Sequence, residues 1–315
     1  MKKTVIIVLA VLMVAALLAA CGSPAAQPGA PVAVATLAGP TGMGMVALFD
    51  DPAYDISLLT TPDQISPKII SGELDVAAVP SNLAAVLYNK MQGGLHIVAV
   101  NTMGVLYIVE NGDTVSRIED LAGKTIYATG QGSTPEYALE KILTQNGVEG
   151  VSVEYMGAHA DLANAVASGE VALALLPEPF VSTVLAKNVD VAVKIDINDE
   201  WKKIFGPEAG MPMGVTIVSE KFAADKAAMD RLIKDYAASV QYVAADPDSA
   251  SKAIADRQIV GSPAIAKAAI PRCGISFITG EQSKAILKDY FAVMFKSNPA
   301  SLGGAIPDDA IFYLP

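Results

Sequence analysis

The chain has 315 residues, 52% of them hydrophobic, with 22 Lys and Arg against 33 Asp and Glu, a formal net charge of −11, and two cysteines. It is long enough for two lobes with real cores, too apolar for intrinsic disorder and too poor in cysteine for a disulfide scaffold. The acidic balance excludes a nucleic-acid partner, because displacing counterions needs a basic face.

Met1-Lys2-Lys3 precede an apolar run over residues 4–20 that ends Leu18-Ala19-Ala20-Cys21. A basic start, an apolar core and small residues before a cut predict a secretory signal peptide over residues 1–20. An uncleaved anchor helix is the competing reading of the same run. Leu-Ala-Ala-Cys resembles the lipobox of bacterial lipoproteins, which implies that Cys21 takes a diacylglycerol and becomes the mature N-terminus. Acyl chains contribute about 0.8 kcal/mol per buried methylene, so two or three tether a domain durably. Residues 21–31 carry Pro24, Pro28 and Pro31 among small residues and read as a flexible spacer. The expected product is exported, otherwise soluble, and attached to the outer face of the cell membrane by lipid alone. Cys273 then has no disulfide partner and reads as a small buried hydrophobe.

The body alternates short apolar runs with amphipathic stretches, the pattern of an α/β protein. A strand over 32–37 leads into a loop at 39–44 and a helical run at 45–49. Thr61-Pro62-Asp63-Gln64 is a capping-box start with proline at the first helical position. That helix ends at Ser71-Gly72-Glu73, and a strand over 75–79 runs to Pro80-Ser81-Asn82. The order then recurs. A strand over 124–128 leads to a capping-box start ending at Glu136, and a further strand covers 151–155. A helix from Asp161 closes at Ser168-Gly169-Glu170, and a strand over 171–176 runs to Pro177-Glu178-Pro179. A third pairing joins the segments at 102–109 and 212–218, which share Met-Gly-Val and end Ile-Val. Two similar lobes follow from this repeat: residues 32–103 with 214–315 form lobe 1, and residues 104–213 form lobe 2. Gly104 and Gly214 are either hinges or ordinary strand-end glycines. Helices near 229–243, 250–256, 264–270 and 281–295 complete the first lobe.

Ligands of parallel α/β sheets collect beyond the carboxyl ends of strands, near helix N-termini. The qualifying loops are 39–44, 80–82, 130–135 and 177–179, joined by Asn101 and Thr102 at the crossing. They offer Thr41, Ser81, Asn82, Gln131, Ser133 and Thr134, each of which equally suits helix capping. Helix-start amides can hold an anionic group there. Glu178 is the carboxylate expected to face the cleft, to meet an amine or ring nitrogen or to favour a helix start. No Lys or Arg occurs over residues 4–67, so the first-lobe wall is expected to offer no side-chain cation. No phosphate-binding loop or dinucleotide fingerprint is present. His96 and His159 lack metal-ligand spacing and read as structural, His96 at a strand start and His159 in a loop. No metal, cofactor or catalytic residue is expected.

The element order, Leu121-Ala122-Gly123-Lys124 before the Gly130 loop, the paired Ser-Gly-Glu strands and the Leu-Pro-Glu-Pro turn resemble the NMT1/THI5-like solute-binding proteins. These stand close to the nitrate/sulfonate/taurine-binding group of ABC importers. The resemblance covers residues 32–300. It implies the type II periplasmic-binding-protein fold: two α/β lobes joined by two crossing hinge strands, closing on a solute and docking on a permease. By position, the ligand loops of that family fall on Thr41, Gly42, Met43, Ser81, Asn82, Asn101, Thr102, Gln131, Ser133, Thr134 and Glu178. Relatives often carry an aromatic before Glu-Pro, where this chain has Leu176-Pro177. A softer wall from Met43, Met103, Met211 and Met213 takes its place. The implied function is a monomeric, lipid-anchored receptor that delivers a small organic solute to an ABC importer. The alternative is an enzyme on the same fold acting on a small metabolite, related to pyrimidine synthesis or to a chorismate lyase.

Overall fold

The computed structural model describes residues 30–207 and 209–314. The expected signal peptide, the Cys21 anchor and residues 22–29 of the spacer lie outside the described residues. The chain opens with β1 (Val32–Leu37), α1 (Pro40–Gly44), β2 (Tyr54–Leu59), α2 (Pro62–Ser71), β3 (Val76–Pro80), α3 (Ser81–Lys90) and β4 (Leu95–Met103). Helix α2 starts as its sequence dictates: Pro62 is at N1, and the Gln64 side-chain carbonyl accepts from the Thr61 N–H at 3.3 Å. It closes on Gly72, whose φ of 78° is the left-handed C-cap. The expected loop at 39–44 is instead a short helix. Gly39, with φ 103°, turns the chain and Pro40 starts α1 at once.

The middle of the chain gives β5 (Leu106–Asn111), β6 (Thr125–Ala128), α4 (Thr134–Gln145), β7 (Ser152–Tyr155), α5 (His159–Ser168), β8 (Leu173–Pro177), α6 (Phe180–Lys187), β9 (Val191–Asp196) and α7 (Ile197–Phe205). The capping box expected to open α4 does not form. The Ser133 hydroxyl donates to the Gly130 carbonyl at 2.6 Å, and Glu136 accepts from the Gly132 N–H instead. The last third supplies β10 (Pro212–Ser219), α8 (Glu220–Ala223), α9 (Lys226–Ala245), α10 (Pro247–Asp256), α11 (Pro263–Ala269), β11 (Ile275–Thr279) and α12 (Gly280–Ser297). Met229, Leu232, Tyr236 and Val243 form the buried face of α9, as their helical spacing predicts.

These strands build a six-stranded sheet, β11-β4-β10-β3-β1-β2, and a five-stranded sheet, β7-β6-β8-β5-β9. The sheets are internal copies. β3 lies between parallel β1 and antiparallel β10, and β8 lies between parallel β6 and antiparallel β5. Gly214 stands opposite Pro80 in the first sheet, and Leu106 stands opposite Pro177 in the second. The duplicated Ser-Gly-Glu segments therefore hold matching places, whereas the Met-Gly-Val segments are offset by two residues, Gly214 matching Leu106 rather than Gly104.

The chain leaves the first sheet at Met103 and enters β5 at Leu106, turning through Gly104 with φ 33°. It returns between Phe205 and Pro212. The two crossings touch, because the Gly104 N–H donates to the Met211 carbonyl at 2.9 Å. A Cβ at Gly104 would lie 2.4 Å from that of Asn198, so backbone sign and space both demand glycine there. The expected extended segment at 102–109 is thus broken between two sheets. The segment at 212–218 lies wholly in the first sheet, which places Met213 and Gly214 there. Cys273 is fully buried with its thiol 3.7 Å from the Met43 sulfur, and burial pushes that thiol well above its ordinary range.

Candidate functional site

Strand ends and helix starts of both sheets enclose a cleft of about 470 Å³. The first lobe contributes Thr41, Asp63, Asn82, Leu83, Thr102 and Met213, and the second contributes Ser133, Thr134, His159, Glu178 and Phe180. The expected loops therefore converge, but only some of their residues reach the cavity. Met43 and Gly42 face away because α1 turns them inward. Met43 is fully buried beside Val46, Ile254 and Cys273, and a Cβ on Gly42 would meet the Leu37 carbonyl at 2.7 Å. Asn101 falls at a bulge of β4, where the pairing with β10 slips between Thr102 and Val100, and its side chain is buried beside Thr102 rather than in the lining. It donates to the Thr216 hydroxyl at 3.0 Å and accepts from Thr102 at 2.9 Å, holding the cleft floor from behind. Ser81 is buried at the base of α3 with its hydroxyl unpartnered. Gln131 is exposed between Gly130 and Gly132, outside the lining. Of the expected methionine wall only Met213 lines the cleft. Met43 and Met211 are core, and Met103 packs half-buried by Gly210.

Glu178 lines the cleft with its side chain fully enclosed. Its carboxylate accepts from the Ser182 N–H and hydroxyl, both at 3.0 Å, at the start of α6. It also accepts from Arg272 Nε at 2.5 Å, and Arg272 reaches the Ser182 hydroxyl at 2.8 Å. Arg272 sits between α11 and β11 in the first lobe, so the pair ties the lobes together. The Tyr107 hydroxyl, on β5, adds a bond to the Arg272 carbonyl at 3.0 Å. The cation that the first lobe brings to this wall comes from the C-terminal third and stands behind the lining, engaged by Glu178; no Lys or Arg lines the cleft among the described residues. Nothing in the local sequence marks Arg272, which lies 94 residues from its partner.

His159 is no loop residue: it opens α5 and lines the cleft. Its Nδ1 pairs with the Thr129 hydroxyl, and its ring lies 5.3 Å from that of Phe180 at 40°. Burial holds its pKa below the ordinary 6.5, so the ring is neutral at neutral pH. The Thr134 hydroxyl is buried beside the Tyr290 phenol, its neighbour for a hydrogen bond. Among the described residues, no cluster of His, Cys, Asp and Glu could hold a metal ion, and no helix is long and apolar enough to cross a membrane.

A family model described as menaquinone biosynthesis matches residues 45–295. No curated protein matches the sequence. Similar solved structures include an ABC transporter from Parabacteroides distasonis, 21% identical, aligned over 90% of this chain and 99% of that one with a TM-score of 0.79. The periplasmic aliphatic sulphonate binding protein of Escherichia coli is 16% identical over 89% and 92% of the two chains, TM-score 0.67. The alkanesulfonate-binding protein of Xanthomonas axonopodis pv. citri, bound to MOPS, is 15% identical over 90% and 96%, TM-score 0.64. At these identities the likeness establishes the fold, the two-lobed type II periplasmic-binding-protein architecture.

Proposed function

The chain belongs to the family described as menaquinone biosynthesis, and from that premise and the cleft we propose that it is a solute-binding protein rather than an enzyme. It closes two lobes on a small organic solute and presents the closed form to an ABC importer. The observation that carries this reading is the composition of the cleft, whose walls come from both lobes and which holds one neutral imidazole and no paired acid and base. Contact with both walls is made fully only when the lobes meet, so binding shifts the population toward the closed form. The names of similar structures, the ABC transporter and the two sulfonate-binding proteins, point the same way. In this proposal the chain resembles the NMT1/THI5-like group, acts as a monomer outside the cytoplasm, and is held to the membrane through lipidated Cys21.

The test is native mass spectrometry of the purified protein, followed by thermal-shift measurements with any molecule it carries. At a solute concentration of 100 times Kd the stabilisation is about 2.7 kcal/mol. Failure to find or add any small molecule that raises Tm overturns the proposal. An unprocessed N-terminus, or a Cys21 without acyl chains, removes the anchored, exported part alone.

A second reading is an enzyme acting on a small metabolite, favoured by the family description and by His159 on the cleft wall. General acid–base work needs a poised group within hydrogen-bond reach of substrate. Conversion of the carried molecule on incubation establishes that reading, and its recovery unchanged supports the binding protein.

A further inference from the structure

We infer that the solute of this cleft is an uncharged organic molecule, and that Arg272 fixes this preference by neutralising Glu178 across the lobes. The inference rests on the solute-binding reading and adds the charge class that the cleft selects.

Three observations carry it. First, among the described residues that line the cleft none is Lys or Arg, whereas Asp63 and Glu178 are acidic. An anion would enter a cavity with no cation in its lining to meet it, and an unpaired buried charge is costly. Secondly, three of the helix starts that converge here have lost a donor to proline. Pro40, Pro62 and Pro135 occupy the first two positions of α1, α2 and α4, and Pro80 and Pro179 cap α3 and α6. All of them line the cleft. Proline has no N–H, so Pro40, Pro62 and Pro135 each remove one amide from the first turns of α1, α2 and α4, and the donors left to an oxyanion there are fewer. The helix dipoles remain, and they suit the partial negative charge of a carbonyl or hydroxyl oxygen. The Thr134 hydroxyl, 3% exposed, lies at such a helix start beside the Tyr290 phenol and can face such an oxygen or its hydrogen.

Thirdly, the one carboxylate deep in the wall is already matched. Glu178 takes the Ser182 amide and hydroxyl and the Arg272 guanidinium, which leaves a cation only the exposed Asp63, where water screens the pairing. The residue is therefore acidic in sequence and silent in charge. Arg272 is a positioning residue for this selectivity: it need not touch solute, and its side chain is 32% exposed.

The test has two arms on the full mature chain. In the first, cell extract and culture medium are passed over cation-exchange and then anion-exchange resin, and Tm is measured with flow-through and eluates. The expected result is a rise of several degrees with the flow-through alone. A rise with the anion-exchange or cation-exchange eluate overturns the inference while leaving the binding reading intact. No rise with any fraction defeats the binding reading itself, and this inference with it.

In the second arm, benzamidinium and benzoate are titrated into variants by calorimetry. Arg272→Gln exposes the Glu178 charge and should tighten benzamidinium about tenfold over the parent chain. Adding Glu178→Gln to it should abolish the gain, and Arg272→Lys should show none. Glu178→Gln alone, which keeps shape and removes charge, should favour benzoate and carries the arm if Arg272→Gln does not fold. Unchanged preferences in these variants overturn the assignment to Arg272.

Discussion

The junctions after β3 and after β8 stand at matching places in their sheets. Each follows a helix closed by a left-handed glycine, Gly72 at φ 78° and Gly169 at φ 82°, and each strand ends on a proline, Pro80 and Pro177. Beyond the proline they part. In the first lobe Ser81 starts α3 directly, and the junction offers a buried hydroxyl and the Asn82 amide. In the second lobe Glu178 and Pro179 intervene, and a carboxylate is enclosed and tied to Arg272 on the other lobe. The helices before these strands differ likewise: α2 brings Pro62 to the cleft and α5 brings His159. Duplication preserved the turns, which depend on backbone sign and missing N–H groups, and left the side chains between them free to diverge. The architecture is shared, and the chemistry is private to each lobe.

The contrast can be broken most forcefully at the charged junction. Arg272→Met strands the Glu178 carboxylate inside the wall. Losing one partner of a fully buried pair costs about 3–5 kcal/mol, and exposure of the guanidinium lowers the expectation to about 2–3 kcal/mol. Asn82→Ala, at the matching junction, should cost under about 1 kcal/mol. Urea unfolding of the two variants measures the difference, and equal losses would erase it. The shared part of the design is tested by Gly72→Ala and Gly169→Ala. Each forces a Cβ into the left-handed region at about 1 kcal/mol. Gly169 should suffer slightly more, since its Cβ would meet the Asn111 amide at 3.4 Å while that of Gly72 meets nothing. A loss at one glycine only would show that the repeat is not equivalent in energy.

The smallest expected effect separates Pro62 from His159. The native ring resists protonation, so the unfolded chain binds more protons as pH falls through about 6.5. Stability contributed by this difference declines from pH 7 toward pH 5, and His159→Gln should flatten that decline. An unaltered pH profile would mean that burial of the ring has no energetic consequence.

The turns and strand ends were legible because glycine and proline act locally. The capping-box start at Thr61, the Ser-Gly-Glu helix ends and the repeat itself could be read from the order of residues. Strand β11 could not: all of its residues are half-buried, and it shows no inward-outward alternation. The site was legible as a set of loops but not as side-chain directions. Met43 failed because a glycine and a proline tighten 39–44 into a helix turn, and Asn101 failed because a bulge in β4 turns its amide onto Thr102 and Thr216. Arg272 illustrates the hardest case, since its role exists only after distant segments meet. His159 was readable in principle as the first residue of a helix whose counterpart begins at the cleft.

The connectivity of the sheets also fixes an order of assembly. All strands of the five-stranded sheet lie between Leu106 and Asp196, within one uninterrupted stretch. The six-stranded sheet needs β11 beside β4, and its edge is finished by the Tyr313 N–H donating to the Ile97 carbonyl at 2.9 Å. Tyr88 is bound by Asp308 at 2.6 Å in the same closing segment. A folding chain can thus complete its middle before its beginning, and the first strands must wait for segments that follow the second sheet. Until then the early strands carry unpaired edges, and the first lobe is complete only when β11 and the Asp308–Tyr313 segment have joined it.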